Sequence, residues 1–461
     1  MSSQCRTVAT LVALLAAWPS GAAAQSQAQF ESSRKTTTEQ LSIAVQRAKT
    51  ANGLTVLLSP DPTVSSVVVW MSFRAGTLFE PAGKSGLAHL TEHVLATGPT
   101  PDTDYSAILE SRGAYHFNAL TGLDSLRFEV ALPAQELPAA LWACADRLGT
   151  LVGQVDDALV ARHRQVVEQE RLLRVADEPY GDFHSTVFGR LFPEPHPLHA
   201  GVIGTPAELA TVTAADLKAF ASAYLVPANA ILTVVGNFDP ATALRLVDEG
   251  LARLPSGQPA QLPPALPGPV TTAVQVRERL SRHPRVALAW RFPNLLPDHA
   301  PALALGAQLL TFFLDGAWGM SLDTSFIEYT GEAMFRMDLE LPYEESVAVA
   351  QDDADGFLRM LTLREMPLDF VMRAHLILDR SVLFALDTLG GRSAILTYVE
   401  RQSGKAEEAG RFLERHWFVE NDVVRDVARI YLRRPHAVVH ARPVRPRAAK
   451  VERREEEVDP E

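Results

Sequence analysis

A pattern met early in the chain returns past its middle, and this repetition restricts the possible folds more than any other feature. Residues 67–74, VVVWMSFR, are echoed by VALAWRFP at 286–293. YLVPANAIL, starting at Tyr224, is echoed by YLRRPHAVV, starting at Tyr431, so that Ala230 and Ala437 each fall six places after the tyrosine. A chain that repeats its elements in order is built from a duplicated supersecondary unit. Between the copies lies PSGQPAQLPPALPGP, residues 255–269, whose prolines make an extended and rather stiff connector. At 461 residues the chain is long for a single core and suits two domains of about two hundred residues each.

Within the first copy, residues 53–58 and the Val-rich 64–73 read as strands, joined by the turn residues Ser59, Pro60, Asp61 and Pro62. A small helix is predicted over 103–112. Residues 115–132 alternate as a hairpin turning at Gly122. Helices are predicted over 137–152, 156–174 and 179–191, a loop over 196–205, and a Thr-capped helix over 213–224. The buried strand AILTVVG, 230–236, follows. Strands in hairpins mixed with helices make each copy α+β.

The chemistry is concentrated in GLAHLTEHVLATG, residues 86–98. Leu87, Leu90, Val94 and Leu95 recur at helical spacing, and Gly98 is a natural C-terminal stop. On that helix His89 and His93 stand four apart on one face, able to offer two imidazoles to one metal ion, with Glu92 beside them. The order H-x-x-E-H is that of the inverted zincins. A catalytic zinc takes three protein ligands and keeps one position open, so a third ligand must come from elsewhere.

The motif and its flanks, FRAGTLFEPAGKSGLAH before it and GAYHFNALTG after it, resemble the pitrilysin and insulinase family of zinc metallopeptidases, in its short two-domain bacterial form similar to processing-peptidase beta subunits. The resemblance implies a third ligand some seventy-five positions on, in a helix carrying V-x-x-E before an acidic stretch and a P-Y-G turn. Glu170 lies 77 places after His93, with Val167, Pro179, Tyr180 and Gly181 in register. It further implies one Zn²⁺ per catalytic chain, held by His89, His93 and Glu170, with Glu92 as general base. Asn118 and Ala119, in the N-A-x-T strand, are implied to hold an extended substrate backbone by strand addition. His163, where relatives often carry an acid, either orients Glu170 beside the ligands or lies on the surface. Glu168, about 200° around the helix from Glu170, is placed at the surface or outside the ligands. His184, His196 and His199 read as loop histidines.

The implied architecture is two homologous domains, each a mainly antiparallel sheet with helices packed on one face, together forming half of a clamshell around peptide substrates. In the second copy the place of the motif is taken by ALALGAQLLTFFLD, without histidine. The family's Arg followed seven places on by Tyr is not met in SLDTSFIEYTGEAMFRM, where Tyr329 has no Arg at that spacing. A homologous non-catalytic partner subunit carrying that pair, or failing that a homodimer, is therefore expected. The alternative function is a non-catalytic structural or assembly subunit of the same fold.

The chain divides as a signal peptide (1–24), a flexible lead-in (25–43), a catalytic metallopeptidase domain (44–254), the Pro-rich linker (255–270), a non-catalytic homologous domain (271–444) and a charged disordered tail (445–461). Arg6, the apolar run 8–18 and Ala22-Ala23-Ala24 make the leader, and point to a bacterial periplasmic or secreted protein. Cleavage removes Cys5 and leaves Cys144 as a buried thiol with no disulfide partner. A formal charge of −12 without a basic stripe excludes nucleic acid, and no later apolar run is long enough to span a bilayer.

Overall fold

The computed structural model describes residues 43–444, apart from 99–103, 264–267, 270–271, 315–320, 330–331, 344–345, 412–413, 415–418 and 435. The leader, the lead-in up to residue 42 and the charged tail lie outside the described residues.

Two mainly antiparallel sheets carry the duplication. The first contains β1 (Gln46–Lys49), β2 (Thr55–Pro60), β3 (Ser66–Phe73), β4 (His116–Thr121), β5 (Leu126–Pro133) and β6 (Ala230–Gly236), in the order β1-β2-β6-β3-β5-β4. The second contains β7 (Val274–Glu278), β8 (Arg285–Pro293), β9 (Leu322–Tyr329), β10 (Glu332–Glu340) and β11 (Ala437–Pro443), in the order β7-β11-β8-β10-β9. With β1 set aside the orders coincide, down to one parallel pair in each, β2 with β6 and β7 with β11. The echoed segments are β3 and β8 and, six places past each tyrosine, β6 and β11; each early strand pairs antiparallel with its late one. One expectation is corrected here. β2 runs on through Ser59 to Pro60, two residues into the segment read as a turn, and β6 is inserted between β2 and β3 in the sheet.

The helices in chain order are α1 (Leu87–Thr97), α2 (Tyr105–Ser111), α3 (Leu137–Gln154), α4 (Asp157–Arg171), α5 (Gly181–Leu191), α6 (Ala214–Tyr224) and α7 (Pro240–Glu249) in the first half. The second half has α8 (Ala300–Leu314), α9 (Ser346–Leu363), α10 (Leu368–Asp387), α11 (Leu389–Ser403) and α12 (Asn421–Tyr431). Their starts are chemically ordinary. Thr213 and Asp216 form a reciprocal capping box on α6, and Asp156 caps α4 through the Leu159 N–H. No single helix among the described residues is long and apolar enough to cross a membrane.

Strands 66–73 and 285–293 are buried almost throughout, without the alternation of a one-sided sheet. The reason lies in how the halves cover each other. In β3, Val67, Val69, Met71 and Phe73 face the first half's own helices. The opposite face of the first sheet, with Leu57 and Val235, is covered by α11 of the second half through Leu396 and Val399. Thr233 and Thr397 share a hydrogen bond across that junction at 2.8 Å. The exchange is reciprocal. Trp290, Phe292 and Phe335 face the second half's helices, whereas the small side chains of Ala287, Ala289, Ala437 and Ala441 let α5 of the first half approach the other face. Each half thus packs helices of its own on one face of its sheet, and the other face is covered by a helix lent by the other half.

Ion pairs close the junction. Arg47 of β1 makes a two-pronged contact with Glu400 of α11, and Arg291 does the same with Glu332 while its guanidinium lies over the Phe192 ring. Tyr329 is buried here and donates to Glu332 at 2.8 Å. A second expectation is corrected by the sequence just beyond it, where Arg336 is followed seven places on by Tyr343.

Candidate metal centre

The sequence places His89, Glu92 and His93 on α1, and the fold fixes where that helix points. Gly86 enters it with φ of 87°, a left-handed conformation, and a Cβ there would meet the Ile203 carbonyl oxygen at 2.9 Å. The N-terminus is held by Glu80, a fully buried carboxylate that accepts the N–H groups of Ala88 at 2.8 Å and Gly86 at 3.2 Å. Burial pushes the Glu80 carboxyl well above the usual range, opposed by these two hydrogen bonds. Glu208 accepts the N–H of Ser85 just upstream.

Packing of α4 against α1 brings Glu170 to the two histidines. His93 Nε2 lies 3.3 Å from His89 Nε2 and 3.1 Å from Glu170 Oε2, and His89 Nε2 lies 3.5 Å from the same carboxylate oxygen. Among the described residues this is the grouping of His, Cys, Asp and Glu able to hold a metal ion. Two ligands at about 2.05 Å from a tetrahedral zinc stand about 3.3 Å apart, so the three edges fit one face of a zinc tetrahedron and leave the fourth position open. Burial, followed by the neighbouring His93, pushes His89 down to about 4, so it is neutral at pH 7 as a zinc ligand must be.

Glu92 stands beside the trio rather than in it. Thr121, the last residue of β4, donates its hydroxyl to Glu92 Oε2 at 2.8 Å. Burial raises the Glu92 carboxyl above its ordinary range, against the Thr121 hydrogen bond and the His93 charge. Asn118 is exposed and Ala119 half-buried on β4, the free edge of the first sheet, where an extended chain can add.

His163 is buried in α4, where burial pushes it down to about 4. Its Nε2 lies 3.4 Å from Thr97 Oγ1 at the end of α1, so it meets the metal helix rather than Glu170, and it is no surface residue. Glu168 turns outward to Arg171 at 2.8 Å. His184 is helical, in α5 beside Arg336 and Asp338, not in a loop. His196 Nδ1 accepts the Leu198 N–H, and His199 faces Glu208. Cys144 is buried and its thiol is pushed up to about 12 by burial, which makes it inert. In the second half α8 takes the place of α1 with no histidine.

Three contributors were missed in the sequence. Thr121 was in view as the last letter of N-A-x-T, and Arg174, four places after Glu170, follows the ordinary i,i+4 acid–base pairing rule. Glu80 lies six residues before Gly86 and leaves no local signal.

The chain thus combines a duplicated α+β fold with a His, His, Glu trio on two packed helices. Residues 55–188 match the family model described as insulinase (peptidase family M16), and residues 211–352 the one described as peptidase M16 inactive domain. The chain belongs to the insulinase family, peptidase family M16. It is 32% identical over 189 residues to the zinc protease PqqE of Helicobacter pylori, covering 40% of this chain and 42% of that protein. In fold it is similar to the crystal structure of a protease from Helicobacter pylori (TM-score 0.78, 20% identity, 87% of this chain and 100% of that one). The periplasmic protease PqqL from Escherichia coli is similar at TM-score 0.66 and 19% identity, over 87% of this chain and 47% of the longer one. The chain spans about half the length of the curated relatives it matches.

Proposed function

We propose that this protein is a zinc-dependent peptidase that hydrolyses unfolded peptides inside an enclosed chamber. The observation that carries the reading is the triangle of His89 Nε2, His93 Nε2 and Glu170 Oε2 with the Glu92 carboxyl beside it. Zinc bound by these residues supplies a Lewis acid that makes a water nucleophilic at neutral pH. With Oε2 tied to Thr121, Glu92 takes the water's proton on Oε1 and returns it to the leaving amine, an exchange suited to a carboxyl whose proton affinity burial has raised. Asn118 and Ala119 align the substrate backbone along the β4 edge. The zinc-protease names of relatives support the chemistry, and the periplasmic relative supports an exported location. The test is zinc content with hydrolysis of an unstructured fluorogenic peptide and of a stably folded protein. One zinc per chain is expected, with peptide cleavage lost on chelation and restored by zinc, and the folded protein spared. A chain that holds no zinc, or that digests the folded protein as readily, contradicts this reading.

The active unit is proposed to be a pair of chains, more readily with a homologous partner that lacks H-x-x-E-H than with itself. One observation supports this: the longer relative is about twice this chain's length. The purified chain is expected to be poorly active at concentrations where light scattering finds a monomer, and activated by adding such a homologue. Full activity of the monomer excludes the pairing.

A further inference from the structure

We propose that Arg174 is a positioning residue that holds Glu170 in its metal-binding orientation. The inference rests on the zinc reading of the trio. Glu170 uses its two oxygens differently: Oε2 faces both imidazoles, while Oε1 is paired with Arg174 Nη1 at 3.0 Å. Among the described residues Oε1 has no other hydrogen-bond or ion-pair partner. A carboxylate with both oxygens free can rotate toward two-oxygen binding or away from the site; one whose outer oxygen is held presents the other alone.

Local geometry explains how the arginine reaches. After Arg171 the helix loosens into a π-turn, Leu172–Ala176, closed by the Asp177 N–H to the Leu172 carbonyl at 2.8 Å. The neighbouring Arg171 is already engaged by Glu168, which leaves Arg174 for Glu170. The turn then leads into Tyr180, whose N–H is fixed by Glu278 of the second half at 2.8 Å. The stretch carrying Arg174 is thus tied down at both ends. His89 lacks such support: its Nδ1 is buried without a hydrogen-bond partner among the described residues. The orienting contact of this centre accordingly falls on Glu170, not on a histidine.

Outer contacts to metal ligands are worth about 10- to 100-fold in affinity. Arg174 is 75% exposed, and an exposed ion pair is weakened by solvent and salt, which places the expected effect near the lower end. The experiment is a competitive chelator titration of zinc on the full chain for wild type, Arg174→Ala, Arg174→Lys and Glu170→Ala, with thermal unfolding as a check on folding. Arg174→Ala is expected to weaken zinc about tenfold without shifting the unfolding of the zinc-free protein. Arg174→Lys should fall between it and wild type, and the gap should narrow at about 1 M salt, where screening acts within about 3 Å. Zinc affinity of Arg174→Ala within about twofold of wild type overturns the proposal while leaving the site standing. Equal zinc binding by wild type and Glu170→Ala, or none by either, overturns the zinc site itself and the proposal with it.

Discussion

Glu92→Gln is expected to lower peptide hydrolysis by about 10²- to 10⁴-fold, the range for losing a positioned general base, while the chain keeps its full zinc content. The amide has the carboxylate's shape, and its oxygen can still accept the Thr121 hydroxyl at the 2.8 Å position. It cannot take up a proton. His89, His93 and Glu170 are untouched, so the metal stays. His89→Ala, His93→Ala and Glu170→Ala should behave in the opposite way: each removes one corner of the triangle, zinc is lost, and activity falls with it. Metal analysis and peptide assays on the same four purified variants separate the roles. Zinc lost from Glu92→Gln, or retained at wild-type affinity by Glu170→Ala, overturns the assignment.

The placement of His89 and His93 side by side, with Glu92 next to them, was legible in the sequence because helical geometry is local: residues at i and i+4 share a face wherever the helix lies. Glu170 was a different matter. Nothing local distinguishes it from Glu168, and only the resemblance to a known motif selected it. The structure brings it to His93 and turns Glu168 outward, a consequence of which face of α4 packs on α1. The duplication was legible for the same reason as the helix, since repeated apolar patterns need no tertiary knowledge. The insertion of β6 between β2 and β3 was not, because strand order depends on pairing between residues far apart in the chain, as Val69 with Val234, 165 positions on. The exchange of outer helices was hidden as well. A strand buried on both faces reads the same whichever half supplies the cover.

That exchange makes the second large prediction, which concerns residues 44–254 alone. Removing the second half uncovers Leu57 and Val235 on the first sheet, and strips α5, with Phe183 and Val187, of the sheet it lies against. Each such side chain is worth about 1.5–3 kcal/mol of burial, so these four account for about 6–12 kcal/mol. A domain's whole stability is about 5–15 kcal/mol, so the isolated half should fail to fold cooperatively. The metal centre should go with it, because the turn that follows Glu170 and Arg174 is anchored through Tyr180 to Glu278, Ser281 and His283 of the other half. The full chain cut within 255–270 and co-expressed as two pieces should behave otherwise: the pieces should co-purify, unfold in one transition and bind zinc, since every exchanged contact survives the cut. Circular dichroism melts and zinc titrations on the half, the split pair and the intact chain decide it. A cooperative melt of 44–254 alone near the midpoint of the intact chain would show that each half is stable without the other's helix.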